Sequence, residues 1–200
     1  MNLDSLVEAL QRNYGNTLTP ELALGLLNAL QQKDLSSQIN LEEIPPEEYQ
    51  GFTIKAEYMG EILDELKPLH AEHWKETEKY RHGLQLNPDY GYMIDREQQG
   101  RFMLFTVRQD ELLVGNCMMY LSKSTHTQKW VAEEDTIFIL PEYRKGRLGV
   151  RLIRYVDDVL RNMGISEIRV TTKTVNSTEN LMKRLGYTHT GNQLTKVFEG

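Results

Sequence analysis

The chain has 200 residues, 40% of them hydrophobic and 26% charged, which suits one folded domain with an appendage and leaves enough chain to bury a sizeable core. A net charge of −6 argues against non-specific nucleic-acid binding, and no apolar run approaches the ~18 residues of a membrane span. The single cysteine, Cys117, excludes an internal disulfide, fits a reducing cytoplasm, and sits in an apolar pattern that favours packing over nucleophilic chemistry.

The charge is uneven. Residues 1–50 hold eight acidic and two basic side chains, while the remainder holds 21 of each sign. The opening Met-Asn-Leu-Asp-Ser-Leu has no basic region before an apolar core, so no signal peptide is expected. Leu3, Leu6, Val7 and Leu10 share a helical face, Asn13 to Asn16 reads as a turn, and Thr19-Pro20-Glu21 starts a second helix running to about Gln32. The leucine-rich faces of this pair must be covered, by the rest of the chain or by a partner such as a second copy in a homodimer. A DNA-binding helix-turn-helix over 3–32 is disfavoured by its acidity. Residues 33–50, polar with Pro45-Pro46, read as a linker. The expected division is a helical extension and linker over 1–44 and a main domain over 45–200.

Phe52 to Ala56 alternates as a strand, and Ile62, Leu63, Leu66 and Leu69 mark a helix that Pro68 is expected to bend or divide. A loop through Gly83, Asn87-Pro88-Asp89 and Gly91 follows. Arg101–Arg108 and Leu112–Leu121 form a hairpin, and Trp130–Leu140 is the next strand. Beyond a second helix ending at Gly164, Glu167–Thr174 is a strand, Asn176 to Glu179 caps a short helix ending at Gly186, and Gln193–Phe198 is a last strand.

Residues 134–163 are the most informative. Ile137, Phe138, Ile139 and Leu140 form an apolar run of the kind buried on both faces of a sheet, and Pro141 stops it. Leu152, Ile153, Val156, Val159, Leu160 and Met163 then recur on one helix face. Between strand and helix lies a basic, glycine-bearing turn: Arg144, Lys145, Gly146, Arg147, Leu148, Gly149 and Val150. A helix N-terminus has unpartnered N–H groups and partial positive charge, so the turn predicts an anion site, best suited to phosphate.

Pro141 to Gly149 resembles the acetyl-coenzyme A signature of the GCN5-related N-acetyltransferases (GNAT), in which a buried strand precedes Arg/Gln-x-x-Gly-x-Gly/Ala and a helix. Arg144 matches its first position and Gly149 its last, while Arg147 stands at the middle glycine and Gly146 falls one place early. The resemblance covers roughly residues 50–200 and implies an α/β (α+β) fold with a central mixed, mostly antiparallel sheet flanked by helices. It also implies acetyl-CoA as co-substrate, a primary amine as acceptor, and direct transfer in a ternary complex. The likeness extends to family members encoded by bacteriophages and prophages, which would act in the host cytoplasm. Residues 137–140 and 144–150 would hold the donor, and Asn176 would help to position it.

A lysine-type acceptor, of pKa near ~10.4, needs a base. Glu134 and Asp135, entering the central strand, are the first candidates. His73 and Glu76 are the second, on a helix face shared with His70 that borders the acceptor site in the family. The His70-His73-Glu76 stripe has zinc-like spacing, but no further ligand cluster closes the shell, so no metal is expected. The tyrosine that serves the family as acid for the departing thiolate is replaced by Met182, with Tyr143, Tyr155 and Tyr187 as substitutes. That replacement leaves open an alternative, a GNAT-fold binding module without turnover that acts through its acidic N-terminal helices.

Overall fold

The computed structural model describes residues 7, 10–31, 39–77, 85–173, 178–194 and 196. Two compact units form, Met1–Ile39 and Asn40–Gly200. In the first, helix α1 (Pro20–Gln31) begins as its sequence dictates. Thr19 Oγ1 accepts the N–H of Leu22 at 3.2 Å, and Pro20 occupies the position where a missing N–H costs nothing.

The second unit is built on a six-stranded sheet whose spatial order follows the chain: β1 (Glu47–Tyr49), β2 (Phe52–Glu57), β3 (Phe102–Gln109), β4 (Leu112–Lys123), β5 (Trp130–Ile139) and β6 (Glu167–Arg169). All neighbours are antiparallel except β5 and β6, which are parallel and joined by helix α4 (Leu148–Asn162). Helices α2 (Met59–Thr77) and α3 (Tyr90–Gln98) precede β3, and α5 (Thr178–Arg184) follows β6. No described helix is long and apolar enough to cross a membrane.

One face of the sheet packs Phe102, Leu104, Met118 and Phe138 against Met59, Ile62, Leu66 and Leu69 of α2. Each such burial contributes about 1.5–3 kcal/mol. On α4, Leu148, Leu152, Val156 and Leu160 are buried along one stripe, and Tyr155 meets Phe105 edge-on at 6.1 Å. Cys117 is likewise buried in β4, and burial pushes its thiol well up, so it packs rather than reacts.

Several expectations are corrected. Within the stretch read as a linker, Glu47–Tyr49 pairs with Phe52–Ile54 through Gln50 and Gly51, both at positive φ (50° and 82°). A three-residue polar edge strand has no apolar alternation to reveal it. Helix α2 continues through Pro68, and its non-helical residue is Ile62 (φ −120°, ψ 16°). The loop expected to run through Gly91 ends at Asp89, which caps a helix over Tyr90–Gln98 that was not anticipated. Strand β6 ends at Arg169, well short of Thr174. Gln193, Leu194 and Lys196, the described part of the expected last strand, carry no regular structure.

Candidate active site

The basic turn lies where β5 hands over to α4. Pro141–Tyr143 makes one 3-10 turn, Gly146 at φ 62° reverses the chain, and Arg147 is the N-cap of α4. Arg147 sits at φ −115° and ψ 21°, a conformation open to any L-residue, so this turn does not need the family's middle glycine. The left-handed position falls one residue earlier, where Gly146 stands. No side chain caps α4, and with the Leu148 N–H turned to Lys145 O at 3.5 Å, the N–H groups of Gly149 and Val150 are the ones left for an outside acceptor. A Cβ built on Gly149 meets only Ile139 Cδ1, at 4.0 Å, so the space over this turn is open. Lys145 and Arg147 are exposed beside it, and Leu148 is buried as the anchor. Uncapped amides, open space and two exposed cations fit the diphosphate of a coenzyme A-type donor.

Beside the turn, the sheet opens. β5 and β6 pair only through Val131–Glu167, Ala132–Ile168 and Glu133–Arg169. Among the described residues, no strand pairs with β5 beyond Glu133 on that side, where Arg144 Nε takes Ile139 O, so backbone groups between them face a gap that an extended, amide-bearing ligand arm could enter. Where the strands part, Glu134 Oε2 accepts the N–H of Thr171 at 3.0 Å. Gly115 on β4 holds the other edge of β5 close, since a Cβ there would come within 2.9 Å of both Phe138 O and Ile139 Cγ1. Asn176 lies outside the described residues.

Asp135 is the extra residue of a β-bulge, because Met118 faces Thr136 while Met119 faces Glu134. Its side chain is exposed, accepts the Thr136 hydroxyl at 3.3 Å, and adds to the burial that pushes Tyr120 up to about 12. His73 places its ring 5.3 Å from Phe138. Thr77 Oγ1 donates to His73 O at 2.9 Å and lies 3.0 Å from His73 Nε2.

Glu76 is engaged by the basic turn itself. Arg144 Nη1 and Nη2 donate to its two carboxylate oxygens at 2.7 and 2.6 Å, and these bonds hold the carboxyl below its usual range. Arg144 Nε also donates to Ile139 O at 2.7 Å, and its guanidinium lies 5.1 Å over the Phe138 ring.

Sequence reasoning used His70 only as part of a stripe. It is buried, its Nδ1 lies 3.2 Å from the Tyr90 hydroxyl, and its Nε2 has no hydrogen-bond partner among the described residues. Burial, then the neighbouring His73, lowers its pKa to about 4, so the ring is neutral at ordinary pH. Among the described residues no group of three His, Cys, Asp or Glu side chains is arranged to hold a metal. Of the tyrosines considered for the leaving thiolate, Tyr155 donates to Pro45 O and Tyr187 donates to Asp157. Tyr143 packs edge-on against Phe52. Met182 is buried.

A model of the acetyltransferase (GNAT) family matches residues 56–187. Thialysine N-epsilon-acetyltransferase of Mus musculus is 35% identical over 96 residues, 46% of this chain and 56% of that protein. The chain therefore spans little more than half the length of this curated relative. An aminoglycoside acetyltransferase from an uncultured soil metagenomic sample superposes with a TM-score of 0.59 at 14% identity, covering 75% of this chain and 96% of the other. AAC(6')-Iy in complex with a coenzyme A bisubstrate analogue gives a TM-score of 0.57 at 18% identity, covering 74% and 99%. These two structures share the fold, and the family match takes in the strand-turn-helix site and all but the first strands of the sheet. The chain belongs to the acetyltransferase (GNAT) family.

Proposed function

We propose that this chain is an acetyl-CoA-dependent N-acetyltransferase that transfers acetyl directly to a primary amine. One observation carries the proposal: the first turn of α4, which no side chain caps, stands at the end of a strand that no described strand joins beyond Glu133 on its outer edge. The amides of that turn, with Lys145 and Arg147, would hold the diphosphate, and the edge from Ile137 to Leu140 would hold the amide-bearing arm and its thioester. Asn176 would steady the same arm.

The acceptor would enter over Phe138, between Asp135 and His73. Asp135 takes one proton from the ammonium, directly or through water, and the nitrogen lone pair attacks the thioester carbonyl carbon. A β5 N–H meets the oxyanion, a contact that strengthens only as the charge develops. The C–N bond forms, the C–S bond breaks, and the thiolate leaves with the electron pair. The second proton of the nitrogen passes to that thiolate, and no tyrosine is assigned to the step. Helix α2 carries five carboxylates and two lysines, which favours a small cationic acceptor. The relatives support that class, since one is named for thialysine and another for aminoglycosides.

Calorimetry with acetyl-CoA, followed by thiol release on a panel of thialysine, lysine, an aminoglycoside and a peptide N-terminus, tests the proposal. Saturable binding and release with at least one amine are expected. Absence of acetyl-CoA binding overturns it. A second function, donor binding without turnover, is favoured by the buried Met182 at the family's tyrosine position and would give binding with no release on any amine.

A further inference from the structure

Arg144 belongs to the donor turn, yet its guanidinium is spent on the acceptor side. It makes a two-pronged pair with Glu76 on the last turn of α2, at 2.7 and 2.6 Å, while Nε holds Ile139 O at 2.7 Å. Both side chains of the pair are well exposed, 40% for Arg144 and 38% for Glu76. An ion pair in water is a weak competitor, because solvent screens it and two long side chains must be ordered to make it. A diphosphate offers the same fork geometry, carries more charge, and would lie on amides of a helix that starts four residues further along the chain, at Leu148.

We propose that Arg144 is shared between two anions: it closes on Glu76 when the donor site is empty and moves to the donor's diphosphate when that site fills. The proposal rests on the donor site assigned above. Glu76 then acts as a competing anion that must be displaced. Its displacement leaves a bare carboxylate beside His73 and Phe138, where an acceptor ammonium would be drawn in. Donor and amine would each favour the other's binding by the same factor, as linkage requires.

The sign of one effect separates this arrangement from a fixed scaffold. If Glu76 competes for Arg144, Glu76→Gln releases the guanidinium, and coenzyme A binds several-fold tighter than to the wild type. If the pair merely braces the turn, the same change loosens the turn and coenzyme A binds more weakly. The measurement is calorimetric titration of the full chain with coenzyme A, for wild type, Glu76→Gln, Arg144→Gln and the double variant, with circular dichroism to confirm folding. The gain in Glu76→Gln should vanish in the double variant, which should bind as Arg144→Gln does. Equal or weaker binding by Glu76→Gln, or a gain that survives loss of Arg144, overturns the shared-arginine arrangement while leaving the donor site standing. Failure of the wild type to bind coenzyme A removes the donor site and this proposal together.

Discussion

Asp135 owes its position to a bulge, and at the scale of single residues this separates it from the other carboxylates of the site. Glu134 is held by the Thr171 N–H and Glu76 by Arg144, whereas Asp135 is turned out of the regular pleat and exposed. Asp135→Asn keeps the shape and removes the base, so turnover should fall by roughly 100-fold while acetyl-CoA affinity stays level. Steady-state kinetics beside calorimetry reads both, and unchanged turnover removes Asp135 from the mechanism. His70 permits a prediction on stability. Its pKa is 6.5 in the unfolded chain and about 4 in the fold, so between those values the unfolded state holds the extra proton. The stability linked to His70 is therefore complete above pH 6.5 and falls by ~2–3 kcal/mol as the pH drops to 4. Urea midpoints across that range should show a slope in the wild type that His70→Leu lacks. The carboxylates and His73 were legible as candidates from their spacing. Their partners were not, because Arg144 reaches Glu76 across 68 positions of sequence and a bulge leaves no mark on a strand pattern.

Two glycines bound the central strand, and at the scale of elements they should fail in different ways. A side chain on Gly115 would collide with backbone atoms of β5, so Gly115→Val should cost about 1–3 kcal/mol and shift the strand that lines the donor site. A side chain on Gly149 meets nothing nearer than 4.0 Å, so Gly149→Val should fold normally and lose at least tenfold in acetyl-CoA affinity, because it fills the space over the first turn of α4. Thermal melts and titrations of the pair test the contrast, and a Gly149→Val protein with wild-type affinity would place the diphosphate elsewhere. The strand-turn-helix unit was readable because each of its parts is long and periodic. The edge strand β1 and the helix α3 were not, since one is the three residues Glu47–Tyr49 and the other buries no side chain fully, with Tyr90, Met93 and Ile94 only partly covered against the core. The alternation at Ile168, Val170 and Thr172 continues past the point where β6 leaves β5, so periodicity overruns the strand, which ends at Arg169, and is silent on where the sheet opens.

Across the whole molecule, the sheet, both helix-covered faces and every described residue of the candidate site fall within Asn40–Gly200. Met1–Ile39 forms a separate compact unit, in which Leu24 and Leu27 are exposed on α1. If the donor turn works through its own amides and cations, none of its parts is lost when residues 1–39 are removed. The shortened chain should then melt within a few degrees of the full chain and bind acetyl-CoA with an affinity within about twofold of it. If instead the N-terminal unit covers the acceptor side, donor binding would persist while amine turnover changes. If it supplies core to the main domain, the melting temperature would drop by about 2–4 °C for each kcal/mol lost at this size of domain. Melting, titration and thiol release on the same two proteins distinguish these outcomes. Retention of all three properties would assign the acidic N-terminal unit to a task separate from acetyl transfer.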